Sequence, residues 1–204
     1  MVQIPAQRET ETLSLELPTT VKLYVTPEQF AALAASNREL QLERTVQGEL
    51  IVNPPTGWET GERNFSIIGQ FYRWYEENSA SGKAFECSTG FTLPNGAIRS
   101  PDAGWISQDR WDALSEEQQG TFANICPDFV VELRSKSDTL KSLQEKMQEY
   151  LDNGAKLGWL IDPQNRTVEV YRVGLEVEVL SNPSELSGED ILPGFVLNLR
   201  RVWG

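Results

Sequence analysis

Two acidic residues occupy positions from which neighbouring strands could bring them together. Asp102 follows Ser100-Pro101 and leads directly into the apolar run AGWIS, and Glu132 lies inside the segment PDFVVELR. An acidic residue at the start of one strand and another within a later strand can place two carboxylates side by side. Carboxylate oxygens suit Mg2+ or Mn2+, and such an ion lowers the pKa of a bound water and neutralises charge on a phosphate. The pattern is therefore compatible with a metal site for phosphodiester hydrolysis.

The segment around Glu132 also has an explanation that involves no chemistry. Alternation with a period of two places Asp128, Val130, Glu132 and Arg134 on one side of the strand and three apolar residues on the other. A strand whose polar side faces solvent would show this pattern without any function. From the pattern alone, the metal site and the solvated strand both stay open.

The absence of histidine limits the chemistry that this chain can perform. The sequence contains no histidine, which excludes Ser-His-Asp and Cys-His nucleophile systems, His-ligated zinc and a histidine base. Carboxylates, amines and metal ions must therefore carry any enzymatic reaction. The formal net charge of −12 opposes tight binding to a phosphate backbone, although a bound metal ion reverses the local field at a carboxylate site.

The sequence shows no sign of export or of membrane insertion. Residues 1–20 lack the basic start and apolar stretch of a signal peptide, and no apolar run approaches the roughly 18 residues that a membrane span needs. Cys87 and Cys126 are far apart and have no metal-binding spacing. We therefore expect two reduced thiols in a cytoplasmic protein, with residues 1–20 as a loosely ordered arm because they are polar and aperiodic.

Residue types that begin or end helices occur at several places in the chain. Thr26, Pro27 and Gln29 have the types and spacing of a capped helix start, and Ser137 or Asp138 could cap a later helix that Gly154 would end. The other predicted helices are Thr60–Ser79, Arg110–Gln119 and Thr139–Asn153. In the first of these three, one apolar stripe would consist of Phe65, Ile68, Phe71, Tyr72 and Tyr75.

Strand signals occupy most of the remaining chain. The segment ERTVQGELIVNPP is typical of a hairpin that turns at Gln47-Gly48. Further strands are predicted at KAFECS, GFTLP, Ile98–Ile106, PDFVVELR, KLGWLIDP, TVEVYRV, EVEVLS and FVLNL. Helices interspersed with several strands indicate an α+β domain in which a mixed sheet is flanked by helices.

Longer segments of the chain resemble a known family. SPDAGWIS, PDFVVELRSKSD and LQEKMQEYLDNGAKLGWLIDPQNRTVEVYR look like the Uma-two family, whose members resemble restriction endonucleases and fall in the PD-(D/E)XK nuclease superfamily. The resemblance extends from about Thr26 to LPGFVLNL near the C-terminus, including GELIVNPPTG and STGFTLPNGAIRSPD. It covers most of the chain, and the long segment that begins at LQEKM is its most specific part.

The resemblance implies a fold, an activity and a set of partners. It implies one restriction-endonuclease-like domain over residues 21–204, with a mixed sheet flanked by helices and additional N-terminal and C-terminal strands. It further implies a metal-dependent endonuclease that hydrolyses DNA, with Asp102 and Glu132 as ligands of Mg2+ or Mn2+. A homodimer would suit cleavage of both strands of a duplex.

One residue of the superfamily motif does not carry over. The motif lysine, which helps to activate the attacking water, is replaced by Arg134. Arginine stays protonated and cannot act as a base, although it could clamp a phosphate oxygen. Lys146 falls on the flank of the apolar stripe of its predicted helix, so it could supply the amine or simply lie beside the core. Glu62, in the first turn of the helix near Thr60, is a further candidate metal ligand, or it complements the helix dipole.

The missing lysine and the acidic charge keep a second function open. The chain could retain a nuclease scaffold and act as a binding or assembly module, because a fold alone does not guarantee activity. The tryptophans also have two interpretations. Trp105 and Trp159 lie in apolar strand segments and are expected in the core. Trp58, Trp74 and Trp111 could be exposed, as base-stacking residues or, more commonly, as part of an interface or core.

Overall fold

The centre of the fold is a mixed sheet of six strands. A computed structural model describes residues 21–120, 122 and 124–204, so the predicted loose arm at residues 1–20 lies outside the described residues. In spatial order the strands are β11 (Glu178–Ser181), β10 (Thr167–Arg172), β9 (Leu157–Asp162), β8 (Phe129–Leu133), β7 (Ala103–Ser107) and β4 (Gly82–Glu86). β8 and β9 are parallel and the other neighbouring pairs are antiparallel.

Two smaller sheets accompany the central one. A five-stranded sheet has the order β1 (Leu23–Tyr24), β3 (Glu49–Asn53), β2 (Gln41–Arg44), β6 (Ile98–Arg99) and β5 (Phe91–Thr92). β12 (Glu185–Ser187) and β13 (Val196–Asn198) form an antiparallel pair near the C-terminus. The predicted hairpin at Gln47-Gly48 is confirmed, since β2 pairs with β3 and Gly48 adopts a φ of 92°, a conformation that glycine tolerates without strain.

Six helices lie around and between the sheets in the described part of the chain. They are α1 (Pro27–Ser36), α2 (Trp58–Asn78), α3 (Gln108–Asp112), α4 (Glu116–Gln119), α5 (Leu140–Asp152) and α6 (Arg200–Trp203). The capping box at Thr26 and Gln29 is confirmed. The cap of α5 is Thr139, whose hydroxyl accepts from the Ser142 amide, rather than the predicted Ser137 or Asp138. The single surface helix predicted for Arg110–Gln119 is two short helices.

The central sheet is covered on both faces, and for this reason β8 is buried throughout. One face packs against α2 and the C-terminal elements, through Phe129, Val131 and Leu133 of β8. The other face packs against α5, where Met147 and Tyr150 lie over Val130. The alternation predicted for this strand is therefore correct, but its polar side is buried under α5 and is not solvated. This result removes the simple explanation for Glu132, because a buried carboxylate is costly unless it is paired or bound to metal.

Two predicted elements differ in detail. The segment Ile98–Ile106 is not one strand, since it leaves the five-stranded sheet after Arg99 and enters the central sheet at Ala103. In α2 the buried residues are Ile67, Phe71 and Trp74, whereas Phe65 and Tyr72 of the predicted stripe are exposed. Their apolar type made them look like core residues, although the sheet contacts a neighbouring side of the helix.

The α+β fold with a mixed sheet, flanking helices and additional terminal strands is confirmed. Trp105 and Trp159 are core residues as predicted, Trp74 is buried, and Trp58 is exposed. Both cysteines are free thiols. Among the described residues, no helix is long and apolar enough to cross a membrane. The assignment of residues 21–204 to a single domain stays a prediction.

Candidate active site

Asp102 and Glu132 lie next to each other at one end of the central sheet. β7 and β8 pair with Ala103 opposite Val131, and extending this antiparallel register by one residue places Asp102 opposite Glu132. Opposed side chains in such a pair have Cβ atoms about 4.5–5.5 Å apart. The Leu133 amide donates to Asp102 Oδ2 at 2.7 Å, which holds the aspartate against the strand that carries Glu132.

Helix α5 brings an amine and a phenol to Glu132. The Lys146 ammonium lies 2.8 Å from Glu132 Oε1, and the Tyr150 hydroxyl donates to the same oxygen at 3.0 Å. Residues four apart lie on one side of a helix, and the Lys146 ammonium is 5.9 Å from the centre of the Tyr150 ring. Gly158 of β9 faces Met147 of α5, and a side chain at Gly158 would displace the end of the Met147 side chain.

The structure adds a third carboxylate and a second cation that sequence reasoning missed. Glu43 of β2 is buried and accepts from Lys146 at 2.8 Å, from the Ser100 amide at 3.1 Å and from Arg99 Nη1 at 3.1 Å. Arg99 also donates to Glu149 of α5 at 2.6 Å. No local signal marks Glu43, because the alternation in QLERT would place Leu42 inside and Glu43 outside. Only the packing of the five-stranded sheet against α5 buries it.

The site contains more negative than positive side chains. Its four carboxylates are Glu43, Asp102, Glu132 and Glu149, and its two cations are Arg99 and Lys146. If all six groups are ionised, two negative charges are in excess. A divalent cation would neutralise this excess, so the local charge balance favours cation binding.

The pKa values of the buried groups follow this imbalance. Burial raises the pKa of Glu132 to about 8; the attraction of Lys146 opposes the shift, and the charges of Asp102 and Glu43 support it. Burial also raises the pKa of Asp102, against the hydrogen bond from the Leu133 amide. For Glu43, burial is outweighed by Lys146 and Arg99, and its pKa lies below the usual value. Perturbed carboxyl groups of this kind are concentrated at functional sites.

Lys146 is held as a cation. Burial alone would lower the pKa of Lys146, but the attraction of Glu132 and Glu43 outweighs burial and raises the pKa above its ordinary value. The ammonium also lies 3.4 Å from the Ser100 carbonyl oxygen. The sequence left two roles for Lys146, a place beside the core or a place in the site, and its side chain is 12% exposed and in direct contact with Glu132.

Arg134 and Glu62 are placed differently from the residues above. Arg134 donates to Asp162 at 2.7 Å and to the Asp138 carbonyl at 3.3 Å. Neither Arg134 nor Glu62 lines the cavity that contains Asp102 and Glu132, and Glu62 is exposed on α2. From the same helix, Asn64 reaches the site instead, where its amide nitrogen donates to Asp102 Oδ1 at 3.2 Å.

Asp102 and Glu132 line a cavity with a volume of about 1060 Å3. Its walls come from the β2–β3 hairpin, the loop before α2, residues 135–138 and one side of α5. Glu43, Arg99 and Lys146 line the same cavity. A large cleft that contains convergent charged groups with shifted pKa values is the usual form of an active site.

Comparison with known protein families shows which family this chain belongs to. The model of the Uma-two (Uma2) family, described as "Putative restriction endonuclease", matches residues 27–200. The chain belongs to this family. Membership confirms the resemblance seen in the sequence, and it supports a nuclease as the function of this Uma-two protein.

A solved structure has a similar fold. It is described as "a putative nuclease belonging to DUF820 from Anabaena variabilis ATCC 29413", and it matches this Uma-two protein with a TM-score of 0.66 and 22% sequence identity. The match covers 79% of this chain and 89% of that chain. At this identity the likeness shows the fold. The search of curated proteins found no match.

The Uma-two family implies a divalent metal ion, and the oxygen donors of the site fit one. Mg2+ is commonly bound by one or two carboxylates together with waters and substrate phosphates. In the described part of the chain, no three acidic or cysteine side chains converge to hold an ion by themselves, so two carboxylates and waters are the suitable arrangement. Lys146 and Tyr150 both contact Glu132 Oε1.

Proposed function

We propose that this Uma-two protein is an endonuclease that hydrolyses DNA phosphodiester bonds with Mg2+ or Mn2+ held by Asp102 and Glu132. The observation that carries the proposal is that the partly buried Asp102 and the buried Glu132 lie opposite each other where β7 begins beside β8, with Lys146 in contact with Glu132. Both residues line the cavity of about 1060 Å3.

Each residue of the site has a separate role in this proposal. When bound, the metal ion lowers the pKa of a water molecule and neutralises charge that develops on the phosphate. Lys146 is a cation whose ammonium can orient that water and stabilise charge on the reacting phosphate. Glu43 and Arg99 are positioning residues, since Glu43 holds the Lys146 ammonium at 2.8 Å and Arg99 holds Glu43 and Glu149.

Two sequence candidates have weaker positions in the proposal. Arg134 occupies the place of the motif lysine, but its guanidinium pairs with Asp162, so we assign the amine of the reaction to Lys146. Glu62 is exposed and outside the cavity lining, so we leave it out of the metal site. The larger assembly is part of the same proposal: residues 21–204 act as one domain, and two copies form a homodimer.

The test is cleavage of DNA by the purified protein in Mg2+ or Mn2+. We expect Asp102→Asn and Glu132→Gln each to reduce the rate by at least about a hundredfold, because each removes a ligand from a metal that supplies several kcal/mol. The matched control is Asp128→Asn. Asp128 is a buried aspartate at the other end of β8, outside the cavity lining, and its variant should cleave at close to the wild-type rate per folded molecule.

Cleavage that persists unchanged in both site variants would contradict the assignment. The binding or assembly module is the competing function, and it is favoured by the net charge of −12. Calorimetry with Mn2+ separates the two. An absence of binding, or binding that is unchanged by Asp102→Asn, would support the module and not the nuclease.

A further inference from the structure

Helix α2 carries three aromatic side chains that are exposed. Trp58 is 82% exposed, Phe65 is 80% exposed and Tyr72 is 56% exposed. Their spacing of seven residues corresponds to about two helical turns, so they follow one another along one side of the helix. Of the three, Trp58 lines the cavity that contains Asp102 and Glu132, whereas Phe65 and Tyr72 do not.

Trp58 lies at the junction between a proline-containing loop and helix α2. It is the first residue of α2, and it follows the loop Pro54-Pro55-Thr56-Gly57, all of which lines the cavity. The two prolines fix their own φ angles and limit the conformations of the loop. The indole is therefore a planar aromatic group that is exposed to solvent and lies in the lining of the cavity at the start of α2.

The negative charge of the chain and the small number of cations on the cavity wall indicate that a nucleic-acid substrate needs contacts other than ion pairs. The chain has a net charge of −12, and Lys136 is one of few cations on the cavity wall, where its ammonium pairs with Glu59 at 2.7 Å. Exposed ion pairs of this kind contribute little, so Lys136 can exchange Glu59 for a phosphate. Stacking on aromatic rings is a common non-ionic way in which proteins hold single-stranded nucleic acid.

We infer that Trp58 stacks on an unpaired nucleobase of the substrate, and that single-stranded DNA is therefore the preferred substrate class. The inference rests on the proposed nuclease function, and it adds a substrate-binding residue and a strand preference to it. Bases inside a duplex already have both faces covered by their neighbours, so they must leave the stack before an indole can contact them. A single strand offers its bases without that cost.

The test is the affinity of the full chain for a fluorescent single-stranded oligonucleotide and for the matching duplex, measured by anisotropy in EDTA. Trp58→Ala should weaken single-strand binding by about five- to a hundredfold, the range of one lost stacking contact. Trp58→Phe should restore part of the affinity. Alanine is a good helix former, so the Ala variant should fold. Phe65→Ala is the matched control, and it should change the affinity less than twofold.

Several results would overturn the inference. These are single-strand binding that is unaffected by Trp58→Ala, tighter binding of the duplex than of the single strand by the wild type, no binding by the wild type, or an equal loss in Phe65→Ala. An equal loss together with weakened self-association in sedimentation would assign the aromatic side of α2 to contact with a second copy. Cleavage in Mn2+ separates the two proposals. Cleavage that is indifferent to Trp58 defeats this inference alone, and Trp58-dependent binding without cleavage defeats the nuclease alone.

Discussion

Buried carboxylates lie at the two ends of strand β8, on the same side of the strand. The two ends differ in how far nearby cations balance the negative charge. At one end, Asp128 is paired with Arg110 at 3.0 Å and Lys156 at 2.8 Å and accepts from the Ser107 amide. At the other end, Glu132 shares Lys146 with Glu43 and lies beside Asp102. Asp128 therefore has two cations to itself, whereas the acids near Glu132 outnumber their cations.

The pKa values express the same difference. Burial opposes the charge of Asp128, but Lys156, the Ser107 amide and Arg110 outweigh burial and lower the pKa of Asp128 below its ordinary value. Burial raises the pKa of Glu132 to about 8. A buried carboxylate whose pKa is lowered by its partners contributes stability at neutral pH. A buried carboxylate whose charge is under-compensated costs stability and is suited to bind a cation, so the balance of charge separates a structural acid from a candidate metal ligand.

The largest expected effect concerns Lys146 and Arg134, the two cations considered for the role of the motif lysine. We expect Lys146→Gln to reduce the cleavage rate by about a hundred- to a thousandfold, because in the proposed reaction it removes the cation that contacts Glu132 and stabilises charge on the phosphate. Arg134→Gln should reduce the rate per folded molecule less than threefold, since Arg134 pairs with Asp162 outside the cavity. The measurement is the single-turnover rate in Mn2+, normalised to the folded fraction.

A larger loss of cleavage in Arg134→Gln than in Lys146→Gln would overturn the assignment of Lys146 as the amine of the reaction. If Arg134→Gln abolishes cleavage and Lys146→Gln does not, the arginine at the motif position acts on the substrate and must leave Asp162 to do so. Calorimetry with Mn2+ gives a second readout. The ion should still bind to Lys146→Gln, because the side chain that is lost is not a ligand.

The next test compares the stability of variants at the two ends of β8. Asp128→Asn should lower the free energy of unfolding at pH 7 by about 1–3 kcal/mol, because two cations lose their partner. The figure is at the low end for a buried pair, since the side chains of Arg110 and Lys156 are 32% and 50% exposed. In metal-free protein Glu132→Gln should be neutral or stabilising, because the neutral amide removes the cost of keeping an ionisable carboxyl group buried with too few cations.

The pH dependence of these two variants should run in opposite directions. The pKa of Asp128 is lowered from 3.8, so the stability it contributes is present above about pH 3.8 and is lost as the pH falls below it. The pKa of Glu132 is raised from 4.5 to about 8, so the wild type should lose stability relative to Glu132→Gln as the pH rises between those values. Urea unfolding in EDTA at several pH values measures both differences. Equal destabilisation of the two variants at pH 8 would remove the distinction between the two ends.

Local sequence signals predicted most of the fold, because the elements concerned are specified by their own residues. The capping box at Thr26 and the hairpin turn at Gly48 are examples, since each depends on residues within a few positions. The errors lie where distant packing decides. Phe65 is apolar and at helical spacing, but it is exposed because α2 turns a neighbouring side to the sheet. Spacing gives the period of a stripe and not the direction in which it faces.

The candidate site was predictable in part for the same reason. Asp102 and Glu132 are each marked by the strand that they begin or occupy, and Lys146 by its position on the flank of a helix. Glu43 belongs to a different sheet, and it enters the site through contacts with residues 56 and 103 positions away in the chain. Its strand pattern assigns it to the outside. No spacing rule within β2 reports the helix that covers it.

The smallest expected effect concerns the hydrogen bond between Tyr150 and Glu132. Tyr150→Phe removes a donor at 3.0 Å from Glu132 Oε1, so the pKa of Glu132 should rise further and a metal ion must displace a more firmly held proton. We expect Mn2+ to bind about two- to tenfold more weakly at pH 7, the equivalent of about 0.5–1.5 kcal/mol for one hydrogen bond.

The matched control is Tyr171→Phe, because Tyr171 donates to Glu169 at 2.6 Å under the same helix but outside the cavity lining. Calorimetry at pH 7 and pH 9 distinguishes the cause: the deficit of Tyr150→Phe should shrink at pH 9, where Glu132 ionises without the help of the phenol. A deficit that is equally large at both values, or that also appears in Tyr171→Phe, would mean that the hydroxyl acts through packing and not through the charge of Glu132.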